Sequence, residues 1–263
     1  MPRFAANVFY LFNEVPFLDR FRAAAAAGFQ AVEYPYPYQT DLQDSLAGVT
    51  DNNLQVVFVT APIGDWQNGE RGMAALPGRG EEFRSTIKTA IQYALALKAG
   101  NIHVMAGLVG TSLATHEAFE TYVANLRFAA EACASHGLRV LIEPINTGDV
   151  PGYFLGDTDI AIRVLEKVDR DNLLIMYDTY HGAINGEDLC MTIRSQLEKI
   201  GHIQVAGYPG RAEPTGGDID YPALFADLDE WGYSGWVGCE YRPCADTVSG
   251  LSWAAPYGIG PSA

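Results

Sequence analysis

Short runs of β-branched and aromatic residues alternate with helix-length segments along the whole chain, and this alternation limits the fold more than any other feature. Eight runs read as strands: residues 3–9, 31–34, 55–60, 101–105, 139–142, 173–177, 202–206 and 236–239. All are short, as barrel strands are. Eight units in 263 residues leave about 33 residues each, close to the roughly 30 that a βαβ element needs. Of the helical segments between them, 116–135 is the clearest, with Phe119, Tyr122, Val123, Leu126, Ala130 and Cys133 recurring at three- and four-residue steps. Gly28, Gly100, Gly137, Gly201 and Gly232 each stand where a left-handed helix C-cap would end a helix before a strand. No linker-like stretch divides the chain. The fold predicted is therefore α/β, a single (β/α)8 barrel over residues 1–263. A doubly wound open sheet is the alternative, weakened because LFNEVPF follows Phe9 where a glycine-rich turn belongs.

Two segments exceed what the repeat needs. Residues 61–80, APIGDWQNGERGMAALPGRG, contain five glycines and two prolines. They follow the third strand, so they should lie at the carboxyl face where barrel enzymes keep their sites, and they are predicted to form a lid carrying Trp66 and Arg71. A tail, 243–263, has only a short helical stretch at 250–254. It is expected to pack across the barrel or at a contact between copies in a homo-oligomer.

Seventeen Lys and Arg against 32 Asp and Glu give a formal charge of −15, which disfavours nucleic acid and anionic membrane as partners. The four cysteines form no CxxC pair, as expected of reduced thiols. The opening MPRFAANVFY lacks the pattern of a signal peptide and no apolar run approaches a membrane span, so a cytoplasmic location is expected.

The chemistry gathers at strand ends. Glu143 follows RVLI, Asp178 follows LLIMY, Gln204 lies in HIQVA and Glu240 follows WVGC, in four consecutive predicted strands. Carboxylates converging on a barrel mouth need a cation or shared protons. Oxygen ligands without a Cys or His cluster suit Mg²⁺ or Mn²⁺. Such an ion polarises a carbonyl beside a hydroxyl, and two flanking carboxylates, for which Glu143 and Glu240 are suited, can shuttle a proton between neighbouring carbons. This is the chemistry of aldose–ketose isomerisation or epimerisation. Among the other polar candidates, His202 reads as a hydrogen-bonded core histidine, while His103 stands near the mouth and can serve either the site or the core. Tyr34, Tyr36 and Tyr38 fit a pocket wall as well as they fit aromatic packing. Glu33 also ends a strand, as a support for the site or as a surface acid.

The segments LIEPIN around Glu143, MYDTYH around Asp178, HIQVAGYPGRAEP around Gln204 and WVGCEYRP around Glu240 resemble the hydroxypyruvate isomerase family, and RFAAN, GERG, LPGR and GLSW extend the likeness over nearly the whole chain. The family belongs to the xylose-isomerase-like barrels, which include sugar epimerases and an abasic-site endonuclease. The resemblance implies that Glu143, Asp178, Gln204 and Glu240 are metal ligands, with Glu143 and Glu240 also moving the proton. It implies further that His181 and Arg211, and with them Asp149, contact substrate oxygens. Arg71 would clamp a substrate carboxylate, with Trp66 and His103 also on the substrate side. The expected substrate pair is hydroxypyruvate and tartronate semialdehyde, which EPIN after Ile142 favours. The segment from Ala206 to Pro209 instead resembles the 2-oxotetronate isomerase branch, and Gly182 and Gly210 would widen the pocket. A sugar epimerase of the same fold and a barrel that binds a small acid without turning it over are the remaining alternatives.

Overall fold

The alternation in the sequence becomes strands and helices close to the predicted places. The computed structural model describes residues 1–110 and 115–260. Its strands are β1 (Arg3–Asn7), β2 (Ala31–Glu33), β3 (Gln55–Val56), β4 (Phe58–Thr60), β5 (Asn101–His103), β6 (Arg139–Ile142), β7 (Leu173–Asp178), β8 (Ile200–Val205) and β9 (Trp236–Cys239). The predicted strand 55–60 is interrupted at Val57, whose N–H still bonds to Val32 O at 2.9 Å, and so appears as β3 and β4. The helices are α1 (Asp19–Ala26), α2 (Leu42–Asp51), α3 (Gly80–Ala96), α4 (Thr115–Ala134), α5 (Thr158–Val168), α6 (Thr179–Ile184), α7 (Leu189–Gln196), α8 (Tyr221–Glu230) and α9 (Thr247–Gly250).

The chain divides into two compact units, Met1–Val57 with Tyr177–Ala263, and Phe58–Met176. In the first, the strand order is β3-β2-β1-β9-β8, with every pairing parallel. The last strand, β9, lies beside the first in a four-residue register from Arg3↔Trp236 to Ala6↔Cys239. An open doubly wound sheet does not bring its ends together in this way, so that alternative is set aside. The parallel registers also align the polar strand ends, with Asn7 opposite Glu33 and Gln204 opposite Gly238.

The tail packs within this first unit. Trp253 and Tyr257 meet Phe4 edge-on at 5.2 and 5.1 Å, and Phe225 lies against both. Gly28 is the C-terminal stop of α1, and its left-handed φ of 95° lets it sit against the tail: a Cβ there would come within 2.5 Å of Gly258 O. Positions 261–263 of the predicted tail lie outside the described residues.

In the second unit, β4, β5, β6 and β7 follow one another in parallel, and α4 packs against α3, α5 and β6. The predicted stripe on α4 is buried at Tyr122, Val123, Leu126, Ala130 and Cys133. Phe119 is half-buried, with the Arg163 guanidinium over its ring at 5.5 Å. Two of the predicted glycine caps are corrected. Gly201 lies inside β8, and near Gly100 it is Lys98 that takes the left-handed conformation, at φ 54°.

Candidate active site

Parallel strands place their carboxyl ends on one side of a sheet, and the first unit uses this to gather polar side chains. Asp178 ends β7 and caps α6. Its Oδ1 accepts the Tyr180 N–H at 2.8 Å, which satisfies an otherwise orphaned helix donor and fixes the carboxylate. Oδ2 is thereby turned to Arg211 Nη2 at 3.1 Å, with His181 Nε2 at 3.6 Å. The same Arg211 nitrogen donates to Glu240 Oε1 at 2.9 Å. The guanidinium lies between the rings of Tyr10 and Tyr180, at 5.2 and 5.0 Å from their centroids.

The loop after β8 aims this arginine. Gly207 N–H bonds to Ala212 O at 2.7 Å, Arg211 N–H returns to Gly207 O at 2.8 Å, and a Cβ on Gly207 would stand 2.5 Å from Glu213 O. Arg211 itself is left-handed at φ 58°, a conformation that costs a non-glycine residue about 1–2 kcal/mol and is retained here where the side chain reaches two carboxylates.

Beneath these groups lies Glu33, the last residue of β2 and fully buried. Its Oε1 is paired with His202 Nε2, and its Oε2 accepts from Asn7 Nδ2 at 2.8 Å and Gln204 Nε2 at 3.1 Å. Asn7 reaches Glu240 Oε2 as well, at 3.3 Å, and Gln204 Nε2 donates to that same oxygen. Gly238 makes room, since a Cβ there would fall 1.7 Å from Glu33 Oε1.

This arrangement bears on whether a cation fits. Glu33, Asp178 and Glu240 set three carboxyl groups around one guanidinium, so the acids outnumber the arginine that pairs with them. Burial raises the Glu240 carboxyl to about 8; Arg211 opposes the rise, and Glu33 and Asp178 add to it. Burial, joined by the Glu240 charge, also pushes the Tyr10 phenol up, so that it stays protonated. Gln204 Oε1 is buried without a hydrogen-bond partner. A divalent cation would meet the surplus of acids and that oxygen together.

In the second unit, Glu143 follows β6 and is buried, with His103 Nε2 at 3.6 Å from its Oε2. His103 Nδ1 is 3.3 Å from the Thr60 hydroxyl. Asp149 is exposed and turns to Asn146, receiving the Asn146 Nδ2–H at 3.2 Å and giving its own N–H to Asn146 Oδ1 at 2.8 Å. The Arg71 guanidinium stacks on Trp66 at 3.6 Å and donates to Glu70 O at 2.8 Å. Residues 73–75 of the 61–80 loop are buried, so it is anchored there, while residues 64–68 around Trp66, itself 51% exposed, are open. Arg79 pairs with Glu70 and Glu82.

Among the described residues, then, the first unit brings together Asp178, His181, Gln204, Arg211 and Glu240 of the predicted set. The second brings together His103 with Glu143, and Trp66 with Arg71. His202 is the bonded core histidine expected, and Tyr34 is a packing residue, buried against Phe17 and Phe21 with its hydroxyl 3.0 Å from the Ser45 hydroxyl. Sequence reasoning missed Asn7, Tyr10 and Gly238. Asn7 was hidden because its strand was read on to residue 9, whereas β1 ends at Asn7 itself. A glycine inside a strand was the available signal for Gly238.

Residues 21–257 match the family described as xylose isomerase-like TIM barrel. The chain is 49% identical to a 2-oxo-tetronate isomerase of Cupriavidus necator over 98% of this chain and 99% of that one. It is 41% identical to a hydroxypyruvate isomerase of Escherichia coli over 98% and 100%. The crystal structure of a protein titled AP endonuclease, family 2, from Brucella melitensis superposes with a TM-score of 0.96 at 46% identity, covering 98% of this chain and 99% of the other. The family model spans most of the chain and both relatives are matched end to end, so the chain belongs to the xylose isomerase-like TIM barrel family.

Proposed function

We propose that this protein is an isomerase of small 2-oxo acids that moves a proton between neighbouring carbons with the help of Mg²⁺ or Mn²⁺. The observation that carries the reading is Gln204 Oε1, a buried oxygen with no hydrogen-bond partner, set beside three carboxyl groups that outnumber the nearby guanidinium. Asp178, Gln204, Glu240 and Glu143 would hold the ion. When bound, a divalent cation polarises the substrate carbonyl and stabilises the enediolate left when a proton departs. Glu143 and Glu240 exchange that proton with the two carbons. Arg211 and His181 orient substrate oxygens, with His103 and Asp149 in the same role, and Arg71, backed by Trp66, takes the carboxylate.

Both hydroxypyruvate and 2-oxotetronate fit this chemistry. The Ala206–Pro209 segment and the 49% identity to a 2-oxo-tetronate isomerase favour the four-carbon acid. An endonuclease reading would call for a cationic track along the DNA backbone, which a chain of formal charge −15 does not favour.

Proton NMR in D₂O, with chelated protein remetallated and given each acid separately, tests the proposal. We expect metal-dependent isomerisation with one acid clearly faster, and a loss of about 10²–10⁴-fold in Glu143→Gln or Glu240→Gln protein that still folds. The absence of both conversion and solvent deuterium uptake with either acid would sink it, and binding without turnover would leave the non-catalytic barrel.

A further inference from the structure

A glutamine serves as a metal ligand only through its oxygen, so something must hold its amide the right way round. Around Gln204 that something is visible. Its Nε2 lies 3.1 Å from Glu33 Oε2 and bonds to Glu240 Oε2, and each of these oxygens also accepts from Asn7 Nδ2, so both stand towards the amide as acceptors. The –NH₂ is therefore drawn towards the acids, and Oε1 is left pointing away from them. Of the two acids, Glu240 is partly open and shares itself with Arg211, whereas Glu33 is sealed.

Glu33 is itself held on every side. His202 takes Oε1, Asn7 shares Oε2, and the Oδ1 of Asn7 is fixed by the Phe9 N–H at 3.0 Å, so Asn7 can present only its –NH₂ inward. The absence of a side chain at Gly238 leaves the space the carboxylate fills.

We infer that Glu33, backed by His202, Asn7 and Gly238, is a positioning residue that sets the orientation of the Gln204 amide and so creates the oxygen ligand of the divalent-cation site. It touches neither substrate nor cation. The inference rests on the metal reading above and adds to it how one ligand of this chain is made.

The test is the affinity of the full-length protein for Mn²⁺, measured by calorimetry without substrate. It uses Glu33→Gln and Glu33→Met, each made with the native Gln204 and with Gln204→Glu. A carboxylate at 204 has two equivalent oxygens and needs no orienting. In the native background we expect both variants to weaken Mn²⁺ about 10–100-fold while still unfolding cooperatively. In the Gln204→Glu background the same changes should cost less than about threefold, the non-additivity expected of directly interacting residues. Unchanged affinity in the native background would overturn the inference, as would an equal loss in both backgrounds, which would reduce Glu33 to a source of negative charge. Wild-type protein that bound no Mn²⁺ would overturn the metal reading and this inference together, an outcome separate from wild-type binding that ignores Glu33.

Discussion

The floor of the first unit's site and the 61–80 loop of the second unit are both rich in charge, yet they are built in opposite ways. At the floor, Glu33 is bonded to Asn7, His202 and Gln204, which lie 26, 169 and 171 positions away in the chain. In the loop, Arg71 bonds to residues one and five positions away, and Arg79 to residues three and nine away. Long-range bonds among buried groups form only when the fold is complete, so there the site and the stability are the same interactions. Local bonds at an exposed turn can change without the fold being affected. Substitutions should therefore couple stability to function at the floor and separate them in the loop.

The strongest test is His202→Leu. It leaves the buried Glu33 carboxylate without its imidazole partner, and stranding a buried charged acceptor in this way typically costs about 3 kcal/mol. At about 2–4 °C per kcal/mol for a chain of this size class, the thermal midpoint should fall by about 10 °C. A fall of only a degree or two would mean the floor tolerates broken partnerships as readily as the loop.

Glu240 tests the same region through pH. Its carboxyl is raised from 4.5 to about 8, so the folded chelated protein holds this proton more tightly than the unfolded chain does. The stabilisation is complete below about pH 4.5 and is lost as pH rises through 8. Glu240→Gln carries no such proton, so it should remove this part of the pH dependence and be more stable than wild type above pH 8 by about 1–4 kcal/mol. Chelated wild type and variant with parallel melting curves from pH 5 to 9 would contradict the burial argument. Because a bound cation requires the carboxylate, Mn²⁺ uptake near neutral pH should also release protons, read from the dependence of binding heat on buffer ionisation enthalpy.

How much of this was legible beforehand follows from the same contrast. The strand ends at Glu143, Asp178, Gln204 and Glu240 were readable because a polar residue closing an apolar run breaks the pattern. Glu33 broke it too, but its partners His202 and Gln204 lie on β8, and no local pattern reports which distant strand supplies a donor. Asn7 was obscured by a boundary placed two residues late, the kind of error that periodicity cannot prevent when polar and apolar residues mix at a strand end. Nor did the sequence show that Asp178 would divide its oxygens between the α6 cap and Arg211. The loop was legible as an unusual length of chain, but its anchoring through the buried residues 73–75 was not.

In the loop the expected effects are smaller and separable. Arg71→Ala removes a guanidinium now bonded to backbone oxygens and stacked on Trp66. If it clamps the substrate carboxylate, KM should rise about tenfold or more, the scale of a charged hydrogen bond, with the melting midpoint within about a degree of wild type. A matching fall in stability would show the loop to be built like the floor. Arg79→Ala completes the series. Its bonds to Glu70 and Glu82 hold both carboxyls below their ordinary range, but all three side chains are a quarter or more exposed. Solvent screening limits such a pair to less than about 1 kcal/mol. Because the acids' pKa values are lowered in the fold, that stabilisation is present at neutral pH and lost as pH falls through the lowered values, so wild type and Arg79→Ala should converge in acid once both carboxyls are protonated. A loss of several kcal/mol at pH 7, persisting into acid, would mean that Arg79 holds the loop by packing rather than by charge, and the local, exposed character assigned to this region would have to be given up.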